Sequence, residues 1–194
     1  VNNHLAALAV LNSTFSGNSA TYGGGINNQD GTVTIVNTTI FSNSATTGSG
    51  INHTGGSMVL TNTIVAANSP SSDCAGNLTD GGYNLSSDTS CGFAPANHSL
   101  PGIDPLLEPL HDNGGPTWTH ALPLNSPAVE AGDNAACPPT DQRGIPRPLD
   151  SDQDGEVTCD MGAYEFPAGV YLYPRTQSGS GVPGVVTEYS LKFY

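Results

Sequence analysis

"LNSTFSGNSATYGGGINN" occupies Leu11–Asn28, and "VNTTIFSNSATTGSGINH" occupies Val36–His53. Placed one above the other without a gap, they agree at Asn12/Asn37, Thr14/Thr39, Asn18/Asn43, Ser19/Ser44, Ala20/Ala45, Thr21/Thr46, Gly23/Gly48, Gly25/Gly50, Ile26/Ile51 and Asn27/Asn52. Each pair is 25 residues apart, and the register continues outward. Val1-Asn2-Asn3 stands one period before Ile26-Asn27-Asn28, Asn62 one period after Asn37, and Asn68 one period after Asn43. A fixed period of this size signals stacked repeats.

Alternation inside the repeat supplies the local structure. In Thr32–Asn37, Val33 and Ile35 point one way while Thr32 and Thr34 point the other, the period of two of a half-buried strand. The same columns hold Leu8/Val33/Met58 and Val10/Ile35/Leu60, and turns such as "QDG" and "TGG" separate the strands. A coil of about 25 residues with two or three short strands is one rung of a parallel β-helix. The fold class expected is therefore all-β, a solenoid. Asn12, Asn37 and Asn62 recur at one inward or corner position, where stacked amides hydrogen-bond along the axis as a ladder.

Composition narrows the possible roles. The 194 residues carry a formal net charge of −13 and only four basic side chains, Arg143, Arg147, Arg175 and Lys192. Nothing here neutralises phosphates, so nucleic acid is excluded as a partner. The longest apolar run, Leu5–Leu11, is far too short for a membrane span, and the chain as given shows no basic leader. Acidic, Lys-poor and rich in Asn, Thr and Ser, it has the look of a secreted protein, a compartment in which its four cysteines pair.

The segments between these features resemble a known family. "FSGN" (Phe15–Asn18) followed by "GGGI" (Gly23–Ile26) is similar to the FxxN and GGA/I signatures of polymorphic outer-membrane-protein repeats, although Ile40 and Ser49 depart from the pattern in the second copy. "DCAGNLTDGGYNL" (Asp73–Leu85), "DPLLEPLHDNGGPTWTHAL" (Asp104–Leu122), "NSPAVEAGDNAACPPTDQRGIPRP" (Asn125–Pro148) and "CDMGAYEF" (Cys159–Phe166) together resemble the choice-of-anchor Q domain of bacterial surface proteins. The resemblance covers most of Val1–Phe166. It implies a right-handed parallel β-helix on an exported, surface-attached protein, and no chemistry. On this reading 1–72 are regular rungs, 73–166 an irregular, disulfide-braced C-terminal coil region, and 167–194 a linker plus extension strand.

Cys74/Cys91 and Cys137/Cys159 are the simplest of the three possible disulfide pairings. The alternative, a four-thiolate zinc site, lacks the close CxxC spacing such sites use. "DSDQDGEVTCD" (Asp150–Asp160) is the sharpest chemical motif. Asp150, Asp152 and Asp154 alternate around a turn permitted by Gly155, the pattern that folds carboxylates round a structural calcium ion. Glu156 offers a backbone carbonyl, and Asp160 substitutes for the acid of the twelfth position, where Met161 stands. The competing reading is a solvated acidic turn. Arg143 and Arg147 are expected to form carboxylate pairs, with Asp141 a candidate partner.

Val185–Tyr194 alternates like a strand and resembles the first strand of an Ig-like module. Alone it needs partners, so Val185, Val186, Tyr189, Leu191 and Phe193 are candidate assembly residues. Val1, Asn2 and Asn3 begin midway through a rung and are candidates too, because an uncapped solenoid end is a docking surface. Unmatched edges at both ends suit a head-to-tail homopolymer, or docking onto neighbouring domains of a longer chain.

An enzyme is not expected. Residues 1–72 contain one acid, Asp30, and no Lys or Arg, so the coil lacks the paired carboxylates of a polysaccharide hydrolase and the base of a lyase. The five histidines are scattered, and no GxSxG elbow occurs. The expectation is a secreted bacterial structural protein of the cell surface, a filament subunit or stalk. The alternative is an adhesin that binds glycans on Tyr22, Tyr83 or Trp118; exposed rings support it and packed rings do not.

Overall fold

The computed structural model describes residues 1–151 and 154–167, and the backbone of Leu172–Pro174 and Tyr189–Leu191. The first coil holds β1 (Asn2–His4), β2 (Ala7–Leu11), β3 (Thr14–Ser16) and β4 (Ser19–Tyr22). The second repeats them as β5 (Ile26–Gln29), β6 (Gly31–Val36), β7 (Thr39–Phe41) and β8 (Ser44–Thr47). The third holds β9 (Ile51–His53), β10 (Gly56–Thr61) and β11 (Ile64–Ala66), and shorter strands follow: β12 (Cys74–Ala75), β13 (Thr79–Asp80), β14 (Leu85–Ser86) and β15 (Leu100–Pro101). Pairing is parallel throughout these coils, in the orders β1-β5-β9-β12, β2-β6-β10-β13, β3-β7-β11-β14-β15 and β4-β8. The molecule is a β-solenoid of stacked coils about 25 residues long, as the repeat requires. Among the described residues no helix is long and apolar enough to cross a membrane.

The register follows the sequence period: Leu8 pairs with Val33 and Val33 with Met58, while Val10, Ile35 and Leu60 stack in the next inward column. Phe15, Ile40 and Val65 form a third column, and Ile26, Ile51 and Cys74 a fourth. These columns fill the bore, and Val33, Ile35, Ile40, Ile51 and Leu60 have no exposed surface. Each such side chain contributes roughly 1.5–3 kcal/mol of burial. Amide ladders add side-chain hydrogen bonds along the axis, within the paired strands at Asn2/Asn27/Asn52 and at a corner at Asn18/Asn43/Asn68. Asn52 donates to Asn27 at 2.7 Å and Asn27 to Asn2 at 2.8 Å. Asn18 donates to Asn43 at 2.9 Å, Asn43 to Asn68 at 3.0 Å, and Asn68 to the Asp73 carboxylate at 2.9 Å. A third line runs from Asn3 through Asn28 to His53, whose Nδ1 accepts from the Asn28 amide at 3.0 Å. Burial lowers the His53 pKa, in keeping with a neutral ring that accepts.

The expected Asn12/Asn37/Asn62 ladder is only partly formed. Asn62 donates to Asn37 at 3.1 Å, but Asn12 donates to the Thr140 carbonyl at 2.6 Å instead. All three sit at corners with φ between +43° and +50°. Left-handed corners favour Asn, and here they turn the amides out of the coil, where backbone carbonyls of a covering segment compete for the donors. That segment, residues 104–166, folds back along the outer face of the β3-β7-β11-β14 sheet instead of extending the stack. Ile64, Ala66 and Leu85 of that face pack with Leu122, Ala128, Met161 and Tyr164 in a second core. The strap touches every coil: Thr14 donates to Gln142 at 2.6 Å, the Ala163 amide to Thr39 at 3.0 Å, and the Gly162 amide to the Asn62 carbonyl at 2.7 Å.

Cys74 bridges Cys91 and Cys137 bridges Cys159, the simplest of the connectivities. Cys74 continues the Ile26/Ile51 column, and Cys91 with Phe93 closes the bore beside it. The double substitution Cys74→Ala with Cys91→Ala is expected to destabilise the fold by about 3 kcal/mol. Equilibrium urea unfolding of the variant and the oxidised wild type measures it.

Tyr189–Leu191 (β17) pairs antiparallel with Leu172–Pro174 (β16), Leu172 opposite Leu191 and Pro174 opposite Tyr189. The partner that this strand is expected to need is supplied, for Tyr189–Leu191, by Leu172–Pro174 of the same chain. Val185, Val186 and Phe193 lie outside the described residues.

Candidate metal centre and carboxylate clamp

The strap contains two acidic clusters of opposite character. In the first, carboxylate oxygens of Glu130, Asp150 and Asp154 lie within 4.8 Å of one another. The turn after Asp150 is closed by the Gly155 amide donating to Asp150 Oδ2 at 3.2 Å and the Glu156 amide donating to Asp154 Oδ1 at 2.8 Å. Gly155 has φ +95°, which only glycine adopts without strain. Glu130 reaches the loop from 20 residues upstream, on a backbone with φ +48°, and accepts from the Ser151 amide. Among the described residues, Asp150 Oδ1 is buried without a hydrogen-bond partner. A buried oxygen that accepts nothing, beside two more carboxylates, fits an oxygen-preferring cation such as calcium.

The expected ligand set is therefore redrawn. Asp150 and Asp154 are brought together as the alternation indicated, and Asp152 lies outside the described residues. The Glu156 side chain is exposed and outside the three-carboxylate group, while the donor expected of this residue is its backbone carbonyl. Asp160 is removed from it altogether, since its oxygens accept from the Glu130 amide at 2.7 Å and the Phe166 amide at 2.5 Å. Glu130 was not legible from the loop because its approach depends on the tertiary path of the strap.

Asp160 belongs to the second cluster, a buried clamp built from "DQRGIPR" and "CDMGAYE". Arg147 and Glu165 form an ion pair at 3.4 Å with both side chains fully buried. The same guanidinium donates to the Asp160 and Gly162 carbonyls, each at 2.9 Å. Arg143 pairs with Asp141 at 2.7 Å, lies over the Tyr164 ring at 3.6 Å, and donates to the Glu165 carbonyl at 2.5 Å. Asp141 also accepts from the Ile145 and Glu165 amides, each at 3.0 Å. The Arg–carboxylate pairing expected from sequence is present twice, and it knots the strap.

Burial, reinforced by Glu165, pushes the Asp160 carboxyl up to about 8, and burial also raises Glu165. A carboxyl raised in the fold contributes its full share of stability below its ordinary value of 3.8 and loses that share as pH climbs towards 8. Asp160→Asn removes this slope. The melting temperature of the variant relative to wild type is expected to rise between about pH 4 and about pH 8. A difference that stays constant across that window contradicts the assignment.

The aromatic candidates divide. Trp118 is 60% exposed with its face near His111, ring centroids 6.5 Å apart, and Tyr22 is 55% exposed. Tyr83 is half-buried and stacks on His98 at 4.8 Å. Two of the scattered histidines are buried: His53 in the ladder and His120 beneath the strap.

No family model, curated protein or solved structure matches this chain.

Proposed function

We propose that this chain is a passive structural element of the bacterial cell exterior, a solenoid segment of a surface stalk or filament whose first coil receives a further coil. One observation carries the reading: the two ends of the stack differ. At the third coil the bore is closed by Phe93, Leu78 and the Cys74–Cys91 bridge. At the first coil, Leu8 and Phe15 remain partly exposed while their stacked equivalents Val33 and Ile40 are fully buried, and Val1, Leu5, Leu11 and Tyr22 are exposed around them. The edges of β1–β4 on this side offer parallel pairing at the ladder positions Asn2, Asn3 and Asn18. An exposed edge with an unfilled core row is a template for another coil.

The coil that docks there comes from a neighbouring module or from a second copy. A head-to-tail homopolymer needs a joint at the other end as well; with the third coil capped, that joint falls to another surface, for which the hairpin β16–β17 is the candidate. The two disulfides fit an oxidising, extracellular location. The resemblance to choice-of-anchor Q domains supports the same location.

Calcium at Glu130, Asp150 and Asp154 acts here as a brace, offsetting carboxylate repulsion of roughly 4 kcal/mol per close pair at a surface-like dielectric. Calcium at a hundred times its Kd is expected to stabilise the fold by about 2.7 kcal/mol over the chelated protein. Asp150→Asn should abolish that gain, and equal melting curves with and without calcium would count against the site.

Sedimentation of the full chain tests the docking face. Self-association that grows with concentration and is lost in Phe15→Asp, which places a charge in the open bore, supports the reading. Association unaffected by that change contradicts it. A second reading, glycan adhesion, draws on the exposed Trp118 ring; loss of glycan-array signal in Trp118→Ala would favour it.

A further inference from the structure

The strap lays one histidine against one serine on the outer face of the first coils. His120 Nε2 stands 2.8 Å from Ser16 Oγ, and His120 Nδ1 stands 2.7 Å from the Glu108 carbonyl oxygen. A carbonyl only accepts, so Nδ1 carries the proton and Nε2 presents its lone pair to the serine hydroxyl. His120 is buried, and its ring lies against Phe41 with centroids 4.7 Å apart, which holds its orientation. Burial also lowers its pKa, keeping the ring neutral and able to take a proton.

Ser16 is half-buried at the end of β3, and its chain neighbour Gly17 faces open space: a Cβ built there would meet nothing within 4 Å. Phe41, which is the strand partner of Ser16 and touches His120, also walls an open groove of about 590 Å³ between sheet and strap. That groove is lined by Ala66, Pro105, Leu106 and Leu107, with Asp104 at its side.

The geometry points to a nucleophilic site in which Ser16 attacks, His120 serves as base and the Glu108 carbonyl orients it, acting on uncharged carboxylic esters, with the groove walled by Phe41, the strand partner of Ser16, as the apolar surface offered to the acyl chain. A backbone carbonyl does here what a carboxylate does in the usual triad, fixing tautomer and ring. The net charge of −13 disfavours anionic substrates, and the lining suits an apolar acyl group. Ser16 Oγ bonds to the acyl carbon while its proton passes to His120 Nε2. The bond from acyl carbon to alcohol oxygen breaks, and that oxygen leaves with the proton from His120. Water then adds to the acyl-serine, passing a proton to His120; the acyl–Oγ bond breaks, and Ser16 recovers its proton as the carboxylic acid departs. This activity goes beyond the structural role and does not depend on it.

The test uses the full chain, an alkyl fluorophosphonate and p-nitrophenyl butyrate. The reagent should place one equivalent on the peptide containing Ser16, with Oγ displacing fluoride from phosphorus. Ester turnover should fall at least about 100-fold in both Ser16→Ala and His120→Gln. Peptide mapping of the wild type needs no variant to fold, and melting curves show whether the variants do. A wild-type chain that takes no label, label that persists in Ser16→Ala, or turnover equal in wild type and folded variants overturns the proposal.

Discussion

Arg147→Met is expected to cost the fold about 3–5 kcal/mol, because the change leaves a charge buried without its partner. Methionine keeps much of the stem volume, so the loss is electrostatic and hydrogen-bonded more than steric. Glu165, fully buried, loses the only cation it pairs with among the described ion pairs. The carbonyls of Asp160 and Gly162 lose their guanidinium donors and keep the Asn37 amide, at 3.0 Å and 3.4 Å. Adding Glu165→Gln to Arg147→Met removes the stranded charge and should recover part of the loss. Urea unfolding of the two single variants and the double variant measures it. Equal losses in the single and double variants would mean that packing, not charge, holds the clamp.

Asn43→Leu is expected to destabilise by a comparable amount, on the order of 3–5 kcal/mol, since each buried polar group left unmade costs about 1–3 kcal/mol. Asn43 is fully buried at the middle of its ladder. Its amide donates to Asn68 Oδ1 at 3.0 Å and to the Phe15 carbonyl at 2.9 Å, and its oxygen accepts from the Asn18 amide group at 2.9 Å and backbone at 3.0 Å. Leucine has the size but none of the bonds, so the first coil should loosen on the second. Hydrogen exchange should quicken at Asn18 and Ser44, whose amides bond at this corner. Asn12→Ala makes the contrast: that amide is half-buried and makes a single side-chain bond among the described residues, to the strap, so the change should cost about 1 kcal/mol or less.

The contrast between these asparagines shows what was legible. The period and the inward alternation sufficed for the coils, because a solenoid is built from contacts one repeat apart. The side-chain rows that fill its bore can therefore be read by aligning a repeat with itself. Asn27/Asn52 and Asn18/Asn43 were visible as identities, but that they rather than Asn12 run the axial ladders was not. Which way an amide turns depends on the corner dihedral and on the carbonyls of a strap more than a hundred residues away. The acidic cluster divides in the same way. Asp150 and Asp154 are local and come together as their alternation indicated, whereas Glu130 arrives through the strap's path and Asp160 is drawn off by backbone amides of the clamp. Ser16 and His120, 104 residues apart, carried no shared motif.

Electron cryomicroscopy of the native material, with and without a calcium chelator, tests the central claim most directly. The structural reading requires that β1–β4 be covered by another parallel coil continuing the ~4.8 Å strand spacing, with Leu8 and Phe15 as buried as Val33 and Ile40 and with disorder at the Glu130/Asp150/Asp154 loop when calcium is stripped. Separate particles whose first coil faces solvent in both conditions would contradict it.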